Sequence, residues 1–391
     1  MEPPKLLEGI KVIESASVIS GPFAGGLLSH MGADVIKVEA PGGDRFRGWD
    51  PAKKAVTPSF EVYNSGKRSI VLDLKKDAGK AVFKRLVESA DAMIENSRPG
   101  AMDRLGLGWD ELKRHNPSLV YCYVSGLGSW GPLSSQPTYD AVAQAMSGLW
   151  SQFTDMSAPE PVGPAMADQL TGLYAAFAIL AGIQNSRRTG TGTKLEISML
   201  AACVAFQGSN LASFLYEGEP VSKRTRAEMS QSYALVSRDG LPFAIHLSTP
   251  QKFWEGLCQV IGKPELISDP RFSSKRERVK NYELLRQILQ EAASGQEREW
   301  WLENLRAHDV PSAPILTLQE AVVHPQVKAL GIIDMSAAGG PRINSPIAVE
   351  RKHLGAKSPA PLLAANTEDI LAEIGITTGE IAQLRNDRVI S

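Results

Sequence analysis

The stretch KVIESASVISGPFAGGLLSHMGADVIKVEAP, residues 11–41, decides the fold. Residues 11–15 are a short apolar-rich run, 21–33 read as a turn and a helix, and 34–41 return as a second run of the first kind. Strand-length runs on either side of a helical period make a βαβ unit. Working outward, the unit repeats: RSIVLDL (68–74) and DAGKAVFKRLVESA (77–90) give strand and helix, DAMIENS (91–97) and WDELKRHNPS (109–118) the next pair, and LVYCYVSGLG (119–128) a further strand. Several of these strands are continuously apolar, so the alternation predicts a parallel sheet covered on both faces.

Between Gly126 and Pro164 the composition turns to Gly, Pro, Ser and Gln around one helical stretch, YDAVAQAMSGLW (139–150). Open α/β sheets place ligands at such loops beside their carboxyl edge. A long apolar helix follows Asp168, then a strand, GTKLEISML (192–200), and a helix, AACVAFQGSNLASFLYEG (201–218). From about Ser230 to His324 lies a second unit. Its YALVSRDGLPFAIHLS (233–248) carries an Asp-Gly turn between strands, and its charged helices follow over 250–309, so it reads as a smaller α+β domain. The tail 367–387 gives two short helices.

At 391 residues, two domains are expected. A hydrophobic fraction of 43% with 22% charged residues is that of a soluble globular protein, and the net charge of -1 points away from nucleic acid and anionic membranes as partners. Cys122, Cys203 and Cys258 stand far apart in apolar surroundings, as reduced core thiols of a cytoplasmic protein do. The N-terminal 15 residues show no basic stretch followed by an apolar one, so no secretory leader is read there. The apolar run after Asp168, broken by Gly172, Gly182 and Gln184, falls short of the roughly 20 residues a membrane span requires and reads as a buried helix.

Some chemistries are excluded by spacing. Gly21, Gly25 and Gly26 are spaced G-x-x-x-G-G, so the turn that admits a dinucleotide pyrophosphate is missing, although Glu39 would suit a ribose hydroxyl. There is no G-x-S-x-G elbow, and the six histidines show no metal-ligand spacing, so no metal site is expected. On position alone Asp168, immediately before a helical run, reads as an N-cap.

Five ordered blocks carry a resemblance: VISGPFAGGLLSHMGADVIKVEAPGGD (18–44), NSGKRSIVLDLK (64–75), ENSRPGAMDRLGLGWDEL (95–112), TYDAVAQAMSG (138–148) and ADQLTGLYAAFAILAGI (167–183). Together they resemble the class III CoA-transferases (CaiB/BaiF family) of the formyl-CoA transferase and crotonobetainyl-CoA:carnitine CoA-transferase type, a family that also includes α-methylacyl-CoA racemase. The resemblance implies a Rossmann-like large domain over 1–200, completed by 335–391. It further implies a linker 201–228, a small α+β domain 229–325, a second linker 326–334, and an interlocked homodimer. It places the catalytic aspartate on Asp168. CoA contacts fall on Leu72, Lys75, Asn96 and Arg104, while Tyr139 and Asp140 match a loop that closes over the thioester. Arg98 joins Lys75 and Arg104 as a candidate for the CoA phosphates, and Arg45 and Arg47 for those phosphates or for an acceptor's distal carboxylate.

The implied chemistry suits a carboxylate. Attack on an acyl-CoA thioester gives an acyl-aspartyl anhydride and a thiolate, which returns to the aspartyl carbonyl and leaves an aspartyl-CoA thioester. An acceptor acid reverses both steps. Every exchanged group is a carboxylate, so CoA and acyl-CoA are substrates and no permanently bound cofactor is implied. Anhydrides hydrolyse, and the apolar run behind Asp168 would help to exclude water. A helix N-terminus, on this reading, holds the carboxylate ionised.

The sequence departs from the formyl-CoA transferase subgroup at Ile19 and at HLSTPQKFW (246–254), which argues against formyl-CoA and oxalate as substrates, and PLLAANTEDIL (361–371) departs from the family's common pattern. The breadth of the family is what supports a larger acyl group, such as a dicarboxylic acid with succinyl-CoA as donor. Two alternatives stand beside it: a racemase of the same fold, which needs a His that QPTYDAVAQ (136–144) lacks, and a CoA-binding protein without catalysis.

Overall fold

The computed structural model describes residues 5–48, 56–218, 220–337 and 339–391; residues 1–4 of the stretch searched for a leader lie outside them. Six parallel strands form one sheet: β1 (Lys11–Ser15), β2 (Asp34–Glu39), β3 (Arg68–Val71), β4 (Ala92–Glu95), β5 (Val120–Ser125) and β6 (Thr193–Ser198). Their order is β3-β2-β1-β4-β5-β6. Sequence order reverses between β1 and β4, and an open sheet opens a crevice for ligands beyond the carboxyl ends of the strands at such a point.

The helices of this unit include α1 (Ser20–His30), α2 (Pro58–Asn64), α3 (Asp77–Glu88), α4 (Ala101–Leu105), α5 (Trp109–His115), α6 (Asp140–Met146), α7 (Met166–Thr189) and α8 (Met199–Phe206), with two more in the tail, over Thr367–Glu373 and Thr378–Asn386. Strand residues alternate between two cores. Val12, Val35, Ile94 and Cys122 pack with Ala24 and Leu28 of α1 and Ala175 and Ile179 of α7. Ile13, Ile36, Met93 and Tyr121 face the other way, toward Phe83 and Leu86 of α3, Leu112 of α5 and the tail residues Ile370 and Ile381. Period-two alternation within apolar strands lets both faces of the sheet be buried.

The glycines of GPFAGG serve packing. A Cβ on Gly25 would overlap the Glu14 carboxylate, and one on Gly26 would lie 2.9 Å from the Tyr63 carbonyl oxygen. On α7, a Cβ at Gly172 would lie 2.7 Å from the Ser20 carbonyl oxygen and against Phe23. Helices α1 and α7 therefore cross at backbone distance, one turn below Asp168.

Helix α7 has 24 residues, longer than its interrupted apolar run suggests, and is long and apolar enough to cross a membrane; half of its most apolar window is buried inside the protein. The stretch 201–218, expected as one helix, divides at Gln207 into α8 and a helix over Gly208–Glu217. The Gln207 side-chain amide donates to the Ser147 and Cys203 carbonyls at 3.1 and 2.8 Å. All three cysteines are buried and unpaired.

The chain separates into two compact units, one of Met1–Trp150, Pro161–Gly208 and Ala329–Ser391, the other of Ser151–Glu160 and Ser209–Lys328. Ser151–Glu160 thus groups with the second unit, whereas the sequence reading ran the first unbroken to residue 200. Within the second unit, β7 (Ser232–Val236), β8 (Pro242–His246) and β9 (Ser312–Pro314) form an antiparallel sheet. The Asp239-Gly240 turn joins the first two strands, with Gly240 in the left-handed region (φ 76°). Tyr233, Phe243, Trp254, Leu285 and Trp301 fill the core of this unit.

Candidate active site

Beyond the carboxyl ends of β1, β4 and β5 lies a cavity of about 350 Å³. Ser17, Val18 and Ser20 line it after β1, Asn96 to Pro99 after β4, and Ser125 to Leu127 after β5; Asp168 and Met199 close it. The switch point of the sheet is thus where the chain assembles its polar groups.

Asp168 is the third residue of α7, not its cap: Ala165 holds the N-cap position without a side-chain hydrogen bond. Its side chain turns instead to α1, where Ser20 Oγ donates to Asp168 Oδ1 at 2.5 Å. The capping work is done from a distance. Asp140 Oδ1 accepts the Asp168 backbone N–H at 3.1 Å, and Gln144 Nε2 holds Asp140 Oδ2 at 2.6 Å. Trp150 Nε1 in turn donates to Gln144 Oε1 at 3.1 Å. A carboxylate satisfying an orphan N–H of a helix's first turn leaves the helix's own carboxylate available.

Asp168 is only 7% exposed. Burial pushes its pKa up to about 6, against the hydrogen bond from Ser20, and the Asp140 charge pushes the same way. This corrects the expectation that the helix terminus keeps the group ionised below its ordinary range: desolvation outweighs it. At pH 7 about a tenth of the side chains still carry a proton. A carboxylate so raised is the better nucleophile, because basicity and nucleophilicity rise together while most of the group stays ionised.

The strap that carries Ser20 is fixed under strain. Val18 adopts φ 71°, costly for a β-branched residue. Asp44 Oδ1 accepts its N–H at 3.1 Å, and Ser17 exchanges two hydrogen bonds with the Asn96 amide, at 2.9 and 2.8 Å. Asp44 is itself held by Lys37 Nζ at 2.9 Å, within a buried cluster beneath α1. There Lys37 and Lys67 share the Glu14 carboxylate at 2.9 and 2.6 Å.

Of the residues marked in the sequence, the structure brings Asp168, Asn96, Arg98 and Tyr139 to this cavity. Asp140 lies behind Asp168 as its backbone partner. Arg104, on α4, is exposed and approaches the Pro99 carbonyl at 3.5 Å without lining the cavity. Leu72 is fully buried in the sheet core just past β3, and Lys75 is exposed nearby. Arg45 lines the cavity, whereas Arg47 is committed elsewhere, forked onto Glu39 at 2.7 and 2.8 Å and stacked 4.0 Å from the Phe60 ring centre. Sequence reasoning missed Ser20, Gln144 and the charge cluster; the unusual Glu14 and Lys37 inside apolar strands were the available signal. Among the described residues no group of three or more His, Cys, Asp or Glu is placed to hold a metal.

A buried carboxylate with one hydroxyl donor faces a switch-point cavity in a doubly wound sheet, which makes this an α/β protein with a carboxylate presented to whatever that cavity binds. The comparisons give the family. Residues 7–367 match the model of CoA-transferase family III, and the chain belongs to that family. It is 35% identical to the acetyl-CoA:oxalate CoA-transferase of Acetobacter aceti, over 83% of this chain and 85% of that one. It is 34% identical to the succinate–glutarate CoA-transferase of Agrobacterium fabrum, over 94% and 95%. The crystal structure of a CAIB/BAIF family protein from Brucella suis superposes with a TM-score of 0.82 at 32% identity, covering 94% of this chain and 98% of that one.

Proposed function

We propose that this CoA-transferase moves CoA from an acyl-CoA to a free dicarboxylic acid through covalent intermediates on Asp168. The observation that carries the reading is the buried Asp168 carboxylate, raised in basicity and aimed into the switch-point cavity. One Asp168 oxygen attacks the thioester carbonyl; the acyl–sulfur bond breaks, giving a mixed anhydride and CoA thiolate. The thiolate attacks the aspartyl carbonyl, the donor acid leaves as carboxylate, and Asp168 holds CoA as a thioester. The acceptor carboxylate and the thiolate then run the same two attacks in the opposite sense. Ser20, now a donor to the carboxylate, is placed to follow the negative charge that builds on the aspartyl oxygen at each attack.

Arg98 in the cavity, with Arg104 of α4 and Lys75 past β3, is the proposed match for the CoA phosphates, Asn96 and Tyr139 for the thioester end, and Leu72 for a backbone contact. The substrate class follows the relatives' names, since oxalate, succinate and glutarate are all dicarboxylates. A second copy of the chain is the proposed partner, interlocked as the family resemblance implies. Leu173, Tyr174 and Phe177 of α7 and Phe206 of α8 are exposed, an apolar face that a partner would cover.

A racemase is the competing activity, and it requires an acid and a base on opposite faces of the α-carbon. No histidine lines the cavity among the described residues. Incubation of acyl-CoA with a dicarboxylate in D2O decides between them: the new acyl-CoA is expected to form without α-deuterium, and α-deuterium uptake in the absence of any acceptor would establish the racemase instead. The rate of the donor half-reaction is expected to rise with pH through about 6 and then level, because the protonated acid cannot attack. A limb near pH 4 would show that Asp168 is not raised.

A further inference from the structure

Two arginines line the cavity, and the side chains of both are exposed with no ion pair or hydrogen bond to any described residue. Arg98 follows Asn96 and Ser97 on the loop after β4. Arg45 stands on the loop after β2, between two buried residues. On one side is Asp44, whose carboxylate accepts the Val18 and Phe46 N–H groups at 3.1 and 2.9 Å and meets Lys37 at 2.9 Å. On the other is Phe46, packed with Phe60. The Arg45 backbone is therefore anchored to the strap Ser17–Ser20, two residues from the hydroxyl that bonds Asp168. Its guanidinium is exposed and makes no ion pair or hydrogen bond with any described residue, while its neighbour Arg47 is fully committed to Glu39. An arginine held rigidly at its root and paired with no anion among the described residues is a prepared partner for a carboxylate.

The cavity shows a second sign that a polar ligand belongs there. Ser125, 7% exposed at the end of β5, lines it, and its Oγ is enclosed with no hydrogen-bond partner. A buried hydroxyl left unsatisfied by the protein is accounted for by an oxygen of something bound.

We infer that Arg45 is the specificity-determining residue for the acid substrate: it pairs with the distal carboxylate of a dicarboxylic acid whose proximal carboxylate faces Asp168. The inference rests on the CoA-transfer reading above and adds to it the group that distinguishes two-ended from one-ended acids. Arg98 is left for the phosphates of CoA.

The test is a competition. The full-length protein receives succinyl-CoA with an equimolar mixture of glutarate and valerate, acids of equal length that differ only in the distal carboxylate. The glutaryl-CoA to valeryl-CoA ratio, read by mass spectrometry at low conversion, equals the ratio of the two kcat/KM values. This holds even if the donor half-reaction is slowed, because both acids compete for the same enzyme form in one mixture. The wild type is expected to favour glutarate strongly. Arg45→Gln is expected to lower the ratio by roughly 10- to 100-fold, the effect of losing one charge-assisted contact, and Arg45→Lys to recover most of it. A ratio that Arg45→Gln leaves unchanged, or a wild type without preference, overturns the inference. An unchanged ratio in Arg45→Gln leaves the transfer reading standing, a wild type without preference removes only the dicarboxylate from it, and CoA transfer itself falls if no acid yields a new acyl-CoA.

Discussion

Asp168→Ala is expected to lower acceptor-dependent CoA transfer by roughly a thousandfold or more while the protein still binds acyl-CoA. Removing a covalent nucleophile removes the reaction path and not a fraction of its stabilisation, and nucleophile deletions elsewhere cost on the order of 10⁶ in kcat. Steady-state transfer rates and CoA binding by calorimetry measure the two halves of the statement. Normal turnover by the variant would remove Asp168 from the chemistry.

Asp168→Asn adds a stability result of opposite sign. The folded-state pKa of about 6 lies above the ordinary value of 3.8, so the ionised form is disfavoured by the fold. What the protonated side chain contributes to stability is present in full below pH 3.8 and is lost as the pH rises through 6. The isosteric amide keeps an acceptor for Ser20 and carries no charge. Denaturant unfolding at pH 8 should therefore find Asp168→Asn more stable than the wild type by about 3 kcal/mol, with the difference vanishing below pH 4. An enzyme that stores destabilisation in its nucleophile shows this trade between activity and stability.

The second large effect lies beneath α1. Glu14 is fully buried and faces both Lys37 and Lys67. Lys67 also donates to the Pro22 carbonyl at 2.8 Å and to Asn64 Oδ1 at 3.0 Å. Burial lowers the Lys67 pKa to about 8 in spite of Glu14, whereas Lys37, against the same desolvation, is raised to about 12 by Glu14 and Asp44 together. Glu14→Ala would leave two buried ammonium groups with one carboxylate between them, and breaking such a pair costs about 3–5 kcal/mol. That is a large share of a domain's total stability, so the variant is expected to accumulate poorly and to unfold at markedly lower denaturant. Lys67 is the group that yields. Its folded pKa, already below the unfolded 10.5, falls further without Glu14, so the unfolded chain binds the extra proton and the variant should regain stability as the pH is raised toward 10. A Glu14→Ala protein as stable as the wild type at neutral pH would contradict the assignment. The consequence for function runs through Lys37 to Asp44, then to the Val18 N–H and the strap that carries Ser20.

How much of this was legible follows from which interactions are local. The strands of residues 11–125 and helices α1, α3 and α5 were readable because apolar period and helix–strand alternation are written along the chain. The sheet's strand order was not, since register between strands is decided by packing across them. Helix α2 went unread: PSFEVYN is short, and its start is signalled by Thr57, which accepts the Phe60 N–H, ahead of Pro58. The GPFAGG glycines suggested a failed phosphate loop, and only the three-dimensional neighbours show that Gly25 clears Glu14 and Gly172 clears the carbonyl of Ser20. Asp168 was found through its block of sequence. Its partner Ser20 stands 148 positions away, and its raised pKa depends on burial, which no spacing reports. Arg45 and Arg47 looked equivalent two residues apart; the Glu39 fork, closed across a loop, separates them.

The account stands on covalent occupation of one side chain, and the most direct measurement is to trap it. Borohydride added during turnover with acyl-CoA should reduce an aspartyl-CoA thioester, and digestion should yield the α7 peptide containing residue 168 with its carboxyl converted to an alcohol, 14 mass units lighter by roughly the difference of one oxygen and two hydrogens. Turnover in the presence of the trap with that peptide always recovered unmodified would contradict the account.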